Sequence, residues 1–387
     1  MHNILYLCPS ENMFGAEQSL YQLLKRLNRD QYAIFIAAPG GGKAARFFLE
    51  HGFRVREADI VIPCKAGNIF RAVKTTLRLI DLVRKNRISL VHFNLIAYPE
   101  SLLFFVLFLR LAGIPIVFHH RTHYPQKALQ RLIMFRGTVI CVCHATRQEF
   151  LAKRRSDPIT RPRNKDVVTI YDSRELERFK GISPDELAKL KKDFRLENQA
   201  VVGLIGAIDK FKRQDRFLYA ARLVKEKFNQ VKFMIIGDTY YGVPEELAYK
   251  QKVVDLTQEL RLSEDVIFTG FRDDVNKLIQ LLDLVVLTSD KDVFPGVIIE
   301  AMAAKKCVVA PAIYGIPELI EDNKTGSLVN SPDPACYAEK ILELLKDPAR
   351  RAQMGEAGYL RARQLFDIDK HVSEVEALYR KLLLNRR

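Results

Sequence analysis

Short apolar runs rich in β-branched residues recur along the chain, and glycine, proline or a polar residue closes each run before a helical pattern follows. Strands that are apolar throughout and alternate with helices are typical of parallel sheets covered on both faces. The pattern therefore predicts an α/β protein. The predicted strands are ILYL, AIFIAAP, LVHFN, IPIVFHH and VICVCHA in the first half, and VVGLIGA, KFMIIGD, VIFTGF, LVVLTS and CVVAPA in the second.

The alternation is interrupted once, near the middle of the chain. A basic, proline-containing stretch at 153–165 leads into VVTIYDSRELERF, after which strands and helices alternate again. We therefore expect a linker near residues 172–195 that divides the chain into two halves. A chain of 387 residues also exceeds what one hydrophobic core usually serves. The sequence predicts two parallel-sheet domains that face a cleft.

Candidate chemistry lies at the predicted strand ends, because open parallel sheets bind ligands beyond the carboxyl ends of their strands. After LVVLTS, a turn with Pro295 and Gly296 opens a helix whose first amides favour an anionic group such as phosphate. Glu300 lies about one turn into this helix, where a carboxylate accepts hydrogen bonds from a vicinal diol such as ribose. Asp292 precedes the turn. The alternative is that both acids only cap and solvate the helix start.

Composition adds limits on partners and compartment. The net charge of +15 favours an anionic partner, such as a membrane surface, nucleic acid or a phosphorylated substrate, without choosing among them. The six cysteines lie mostly in apolar runs without metal-finger spacing, which fits a reducing compartment. The run SLLFFVLFLRLAGIPIVF is too interrupted to span a bilayer and predicts a buried helix followed by a strand. The N-terminal residues show no signal-peptide pattern, so we expect a cytoplasmic protein.

The segment DVFPGVIIEAMA, followed by GIPELIEDNKTGSLV, resembles the donor-site signature of the retaining family 4 glycosyltransferases, which have the two-Rossmann GT-B fold. That signature has two glutamates eight positions apart, with Phe-Gly or Phe-Pro-Asn between them. Phe294 and Glu300 match, and Asp292 stands where the first glutamate is usual. The resemblance implies that Glu300 binds the nucleotide ribose and that Asp292 contacts the transferred sugar. It also implies that the amides of Gly296 and Val297 face the diphosphate, beside Phe294.

The segment VVGLIGAIDKFKRQDRFLYAARLV resembles a strand, loop and helix of the same family, which read Gly-Arg-Leu and then Glu-Lys-Gly. Gly206 and Lys212 match, and Ala207 replaces the usual arginine. The resemblance implies that Lys212 offsets the charge that grows on the departing phosphate oxygen. Lys210 and Arg213 are the candidates for the missing second cation. Taken alone, Lys212 is only an exposed surface lysine.

Three other stretches resemble parts of the family. VIFTGFRDDV resembles the strand and turn that meet the nucleotide base, which makes Phe271 and Arg272 base-side candidates. SENMFGAEQSLYQLL resembles the Gly-Gly-Ala-Glu loop, where Gly15 lets the backbone approach a ligand, although by itself Gly15 is only part of a turn. VTIYDSRELERF resembles the linker signature Tyr-Asn-Gly-Val-Asp-x-x-x-Phe, to which we assign no catalytic role.

The strand end IPIVFHHRTHYP carries three histidines, His119, His120 and His123, but no carboxylate or cysteine follows at ligand spacing, which argues against a metal site. The family often has a polar residue here that faces the donor sugar or the acceptor. That residue is Arg121 by its distance from the preceding proline, and His119 or His120 by residue type. The sequence does not choose between them.

Asp290 and Asp292 form an Asp-x-Asp pair, which holds a divalent ion in a different glycosyltransferase fold. The flanking match to the metal-free donor signature outweighs this reading. We therefore expect no cofactor and no obligatory metal, with a nucleotide-diphosphate sugar as co-substrate.

The resemblance implies a GT-B enzyme with two Rossmann-like domains: an acceptor domain at 1–172, completed by a C-terminal helix at 367–387, and a donor domain at 173–366. The implied reaction is retaining transfer of a sugar to a glycan or lipid-linked acceptor in cell-surface polysaccharide or glycolipid synthesis. A non-catalytic nucleotide-sugar-binding regulatory protein on a degenerate scaffold is the alternative that Ala207 and Asp292 leave open. Neither a nucleic-acid-binding module nor the Gly-x-Gly-x-x-Gly loop of NAD enzymes is present.

The basic stretch FRAVKTTLRLIDLVRKNR carries an apolar stripe through Val73, Leu77, Ile80 and Val83. A basic amphipathic helix of this kind lies on an anionic membrane or packs on the core with a solvated basic face. Both readings stay open. The first would place a cytoplasmic protein peripherally on the membrane, with a lipid-linked acceptor.

Overall fold

The computed structural model describes residues 1–60, 68–95, 102–121, 137–155, 166–239 and 243–384. The chain divides into two compact units, of which the first combines Met1–Ser173 with Ile368–Arg387 and the second is Arg174–Asp367. Each unit contains a parallel sheet with helices between its strands. The predicted α/β class with two parallel-sheet domains is confirmed.

The first unit is built on a parallel sheet in the order β3-β2-β1-β4-β5-β6-β7, counting the strands of the described residues. The strands are β1 His2–Leu7, β2 Tyr32–Ala38, β3 Arg54–Glu57, β4 Ile88–Leu95, β5 Ile116–His120, β6 Thr138–Cys141 and β7 Val167–Thr169. The helices are α1 Gly15–Arg26, α2 Lys43–Glu50, α3 Ile69–Lys85, α4 Leu103–Leu111 and α5 His144–Arg155, with α14 Ile368–Leu384 from the chain end.

Alternate residues of each central strand in this sheet enter two separate cores. Leu5 and Leu7 pack in one core with residues of α3 and α4, whereas Ile4 and Tyr6 pack in the other with residues of α1 and α14. Both faces are therefore apolar, which explains why β1 reads as a continuous hydrophobic run. The C-terminal helix is part of the second of these cores.

The second unit contains a parallel sheet in the order β10-β9-β8-β11-β12-β13 within the described chain. The strands are β8 Ala200–Ile205, β9 Val231–Ile236, β10 Val266–Gly270, β11 Leu284–Val286, β12 Cys307–Pro311 and β13 Ser327–Val329. A 3-10 helix, Leu176–Phe179, precedes α6 Pro184–Asp193, α7 Gln214–Lys227, α8 Pro244–Glu259, α9 Val275–Leu281, α10 Gly296–Ala303, α11 Ile316–Leu319, α12 Pro334–Lys346 and α13 Pro348–Leu365.

Two predictions about individual segments need correction. The expected linker at 172–195 contains the 3-10 helix and α6, whose start is capped by Ser183 through a bond from the Glu186 amide. The helix and strand predicted from SLLFFVLFLRLAGIPIVF are present as α4 and β5. However, α4 is only half buried, because Phe104 and Leu111 are 68% and 91% exposed.

Candidate functional site

Lys212 and Asp292, which are eighty positions apart in the chain, meet in the second unit. The Lys212 ammonium donates to Asp292 Oδ2 at 2.6 Å, and the two side chains are 23% and 16% exposed. Lys212 lies in the loop after β8, and Asp292 lies in the loop after β11, the neighbouring strand. Because both strands run parallel, these loops leave the sheet at its carboxyl edge, where ligands of such sheets bind.

The loop that carries Lys212 is fixed by hydrogen bonds at both of its sides. The Asp209 carboxylate accepts the amides of Phe211 (2.6 Å) and Lys212 (3.0 Å), which closes a turn characteristic of aspartate. The Thr288 hydroxyl contacts the carbonyl oxygens of Lys212 and Arg213, each at 2.9 Å. Gly206, at φ +150°, begins the loop, and a Cβ there would lie 3.6 Å from the Lys212 side chain. The position of Lys212 is therefore set by the fold.

Asp290 and Arg213 take part in a separate ion-pair network. Asp290 accepts from Arg213 at 2.8 Å and from Arg216 at 2.7 Å, and Arg213 also binds both carboxylate oxygens of Asp215. Burial alone would raise the pKa of Asp290, but the two arginines hold it below its usual value. Arg213 is thus engaged with Asp215 and Asp290, whereas the Lys210 ammonium lies 5.4 Å from the ring centre of Phe211.

Glu300 lies on α10, which begins at Gly296 after Pro295. An α-helix leaves its first amides without intrahelical partners, so the amides of Gly296 and Val297 face outward from the helix start. Glu300 accepts a hydrogen bond from Arg174 Nε at 2.8 Å, and the two side chains are 20% and 9% exposed. Gly296 and Glu300 are four positions apart, so both lie on the same face of the helix.

The three aromatic and basic candidates of this unit have different environments. Phe294 is partly buried and packs edge to face on Phe366, with ring centres 5.8 Å apart. Phe271 follows β10 and is 64% exposed. Arg272, beside it, forms a bidentate pair with Asp274 at 2.8 and 2.7 Å. Phe271 offers an open ring face for stacking, whereas Arg272 is already paired.

Gly15 is the first residue of α1 in the first unit and is exposed. A Cβ at this position would meet no protein atom within 4 Å, and its φ is not in the left-handed region. The fold itself therefore does not require glycine here. The Glu17 carboxylate accepts the Phe14 amide at 3.2 Å and closes the helix start.

His119 and Arg121 lie at the end of β5, but neither presents an open side chain. His119 is 0% exposed, packs near the rings of His92 and His371, and lies 4.0 Å from Asp172. Burial, reinforced by the charge of Arg121, lowers the pKa of His119 well below its usual value, so the ring is neutral. His119 points to the same side of the sheet as Val117, towards α1 and α14, which explains its burial.

Arg121 is 8% exposed and is fixed on two sides. Its guanidinium makes two bonds to the Asp172 carboxylate, at 3.0 and 3.2 Å, and one to Asn94 Oδ1 at 2.5 Å. Ser19 also donates to Asp172 at 3.3 Å. His120 is buried on the opposite face of the sheet against Phe150, and His123 lies outside the described residues.

Two residues of the predicted linker have roles that sequence reasoning missed. Asp172 pairs with Arg121 in the first unit, and Arg174 pairs with Glu300 in the second. The resemblance to the linker signature implies no catalytic role for this segment. The available signal was that Arg174 stands where the linker signature has valine. An unexpected charge at an apolar position indicates a specific partner, because a buried charge is costly unless it is paired.

No group of three or more His, Cys, Asp or Glu side chains that suits a metal ion occurs within the ranges the structure describes. In the Asp-x-Asp pair, Asp290 faces Arg213 and Arg216 while Asp292 faces Lys212. Cations thus stand next to both carboxylates. None of the helices in the described ranges combines the length and apolar character needed to cross a membrane.

Both units match known family models. The model described as glycosyl transferases group 1 matches residues 187–361, and the model described as Glycosyltransferase Family 4 matches residues 14–163. A crystal structure of Anabaena Alr3699/HepE in complex with UDP superposes with a TM-score of 0.84 at 22% identity, covering 98% of this chain and 100% of that chain. The fold is therefore that of a GT-B glycosyltransferase. This chain belongs to glycosyltransferase family 4.

Two curated relatives are similar over part of the chain. The N-acetyl-alpha-D-glucosaminyl L-malate synthase of Bacillus anthracis is 31% identical over 223 residues, which are 57% of this chain and 55% of that protein. The poly(ribitol-phosphate) alpha-N-acetylglucosaminyltransferase of Staphylococcus aureus (strain COL) is 33% identical over 160 residues, which are 41% of this chain and 31% of that protein. The match thus spans about half or less of the length of these relatives.

Proposed function

We propose that this protein is a retaining glycosyltransferase that moves a sugar from a nucleotide-diphosphate sugar to a glycan or lipid-linked acceptor. The observation that carries the proposal is the pairing of Lys212 with Asp292 at the carboxyl edge of the second sheet. The outward amides at the start of α10 and the Glu300 carboxylate add an anion site and a diol acceptor on one helix face. A uridine diphosphate donor is the first candidate, because a structural relative was solved with UDP.

The proposed reaction requires charge stabilisation at the leaving group. The bond between the anomeric carbon and the diphosphate oxygen breaks, and the acceptor oxygen bonds to the same face of the sugar. The departing phosphate takes the acceptor's proton. Lys212 and the amides of Gly296 and Val297 stabilise the negative charge that grows on that phosphate, and Asp292 binds hydroxyl groups of the sugar.

We propose that no metal ion is required, because Lys212 and the start of α10 supply the positive potential that a divalent ion would otherwise provide. A thermal-shift panel with UDP-, GDP- and ADP-sugars, with and without EDTA, tests the proposal in the wild type and in Glu300→Ala. At a concentration of 100 Kd, a ligand stabilises the native state by about 2.7 kcal/mol. We expect a shift with one donor that EDTA leaves unchanged and that Glu300→Ala abolishes.

Binding alone does not separate an enzyme from a regulatory protein on the same scaffold. The second measurement is release of nucleoside diphosphate from the donor that binds, in the presence of lipid-linked and soluble glycan acceptors. Release that depends on an acceptor supports transfer. Specific binding without release for any acceptor of these classes would favour the non-catalytic alternative.

For the acceptor side, we propose docking on an anionic membrane surface through α3 and α4, in keeping with a lipid-linked acceptor and a cytoplasmic, peripheral location. The solvent side of α3 exposes Phe70, Val73 and Leu77 by 89%, 45% and 61%, among the exposed basic residues Arg71, Lys74, Arg78, Arg84 and Lys85. The neighbouring α4 exposes Phe104 and Leu111. Val83, predicted from the sequence in the same stripe, is buried in the core instead.

Sedimentation with lipid vesicles tests this surface. We expect binding to phosphatidylglycerol vesicles that weakens with salt, and none to phosphatidylcholine vesicles. Leu77→Glu should reduce the binding. Leu49→Glu is the matched control, because Leu49 on α2 is similarly exposed, at 52%. Equal loss in both variants, or binding that ignores lipid charge, would contradict the proposal.

A further inference from the structure

The guanidinium of Arg174 lies directly on the start of α10. Its Nε donates to Glu300 Oε1 at 2.8 Å, and its side chain is 9% exposed. The backbone of the same residue is anchored as well, because the Arg174 amide donates to the Phe366 carbonyl at 3.1 Å and the Arg174 backbone forms an isolated parallel β-bridge with Asp367. Arg174 is therefore fixed at both its backbone and its head group.

The position of Arg174 restricts residue 296 to glycine. A Cβ at Gly296 would lie 1.6 Å from Arg174 Nη2 and 2.2 Å from its Cζ. No real pair of atoms comes so close, so any side chain at position 296 would displace the guanidinium. Only glycine lets Arg174 cross the first turn of α10 and reach Glu300 one turn further on. Gly296 and Arg174 thus form one structural unit.

We propose that Arg174 is a positioning residue, which holds the Glu300 carboxylate in the orientation that accepts the ribose hydroxyls of a nucleoside diphosphate. The inference rests on the proposed donor site. A carboxylate that accepts two hydroxyls of a diol must have a fixed plane, and a charge-assisted bond from arginine restricts that plane. The bond from Arg174 uses Oε1, and the Glu300 carboxylate retains further lone pairs on both oxygens for the diol.

A structural role for Arg174 as a linker anchor would give a different result from a positioning role. An anchor affects stability and all nucleotides alike, whereas a positioning residue affects only the nucleotides that carry ribose hydroxyls. The discriminating quantity is therefore the ratio of two dissociation constants, for 2′,3′-dideoxyuridine diphosphate and for UDP. Because both constants are measured on the same variant, a smaller fraction of folded protein affects them equally and cancels in the ratio.

The experiment measures both constants by calorimetry in the wild type, Arg174→Val, Glu300→Gln and Arg222→Val. Valine is the residue of the linker signature, and Arg222 is the matched control because its Nε binds Glu226 at 3.1 Å on the surface of α7. We expect the wild type and Arg222→Val to bind UDP at least about tenfold more tightly than the dideoxy nucleotide, as expected for hydrogen bonds to a charged group. In Arg174→Val and Glu300→Gln the ratio should fall to about threefold or less.

The outcomes are distinguishable. Arg174→Val that keeps the tenfold ratio while Glu300→Gln loses it overturns the positioning role and leaves the donor site intact. A wild type that binds no nucleoside diphosphate overturns the proposed function, and the inference with it. Gly296→Ala supplies an independent arm: it should lower the ratio in the wild type but cause no further loss in Arg174→Val. If the double variant lowers the ratio of dissociation constants further than Arg174→Val alone, Arg174 and Gly296 act independently and the inference is contradicted.

Discussion

The most informative perturbation of the candidate site is Lys212→Gln. The glutamine keeps a hydrogen-bond donor, on a slightly shorter side chain, but removes the positive charge from the loop after β8. In the proposed reaction, Lys212 acts on the phosphate oxygen whose negative charge grows as the glycosidic bond breaks. The variant should therefore retain the fold and bind donor, but turn over slowly.

The expected magnitudes separate chemistry from stability. Loss of one preorganised group that stabilises a growing oxyanion costs about 100- to 1,000-fold in kcat, or about 2.7–4 kcal/mol. The Lys212–Asp292 pair is 23% and 16% exposed, and partly exposed pairs contribute about 1 kcal/mol or less to folding. In a unit of this size, that corresponds to about 2–4 °C in Tm. A large loss of kcat with a small loss of Tm is the expected signature.

The chain offers a closely matched control in Lys225→Gln. Lys225 pairs with Asp265 at 2.9 Å, and the two side chains are 22% and 17% exposed. Lys225 also donates to the Asn229 carbonyl, before β9 begins, so its neighbourhood is the amino end of that strand. Initial rates of nucleotide release and Tm should be measured for both variants. Turnover of Lys212→Gln within about fivefold of wild type, or an equal loss in Lys225→Gln, would refute the assignment.

Three further predictions concern glycine positions and pH. Gly15→Ala should leave Tm unchanged, because a Cβ at this position meets no protein atom within 4 Å. The same Cβ should raise KM for the substrate that binds at the start of α1, and kinetics with both substrates checks this. Gly355→Ala should lower Tm by several degrees, because its Cβ would lie 2.1 Å from the Lys305 carbonyl oxygen. Gly181→Ala is the control and should leave Tm unchanged, because its Cβ meets no protein atom within 4 Å; melting curves of both variants test the difference. Burial raises the pKa of Glu17, so this carboxyl's contribution to stability is present in acid and is lost as pH rises through the raised pKa. Glu17→Gln should therefore gain Tm relative to wild type at pH 7.5 but not at pH 4, and a gain that is equal at both values would contradict the reasoning.

The fold class could be predicted because the same pattern, an apolar strand followed by a helix, recurs along the chain. Central strands such as β1 send alternate residues into two apolar cores, so every residue of ILYL is hydrophobic, and the strands with this character recur in both halves. The short strands β3, β7 and β13 escaped prediction. β3 has the sequence RVRE and lies at the sheet edge with mostly exposed side chains, so it lacks the run of apolar residues that marks the central strands.

The candidate site was predictable where its residues follow strands of the same sheet. Lys212 and Asp292 follow β8 and β11, and parallel pairing of neighbouring strands brings their ends to one edge. The burial of a site residue could not be predicted in this way, because it depends on which helix covers the strand end. His119 and Arg121 lie close together in sequence, yet one is covered by α1 and α14 and the other is held by Asp172.

The linker shows why a motif match misses partners. Its signature predicts an apolar residue at position 174, and a comparison by motif treats the arginine there as variation. In the structure that arginine binds Glu300, and its guanidinium leaves no room for a side chain at position 296, which explains the glycine there. Two residues earlier, Asp172 binds Arg121, so charged side chains from one short segment hold a predicted site residue in each unit. Substitutions in this segment should therefore change ligand binding and not only stability, and the ratio of UDP to dideoxy-UDP affinity measures that difference at Arg174.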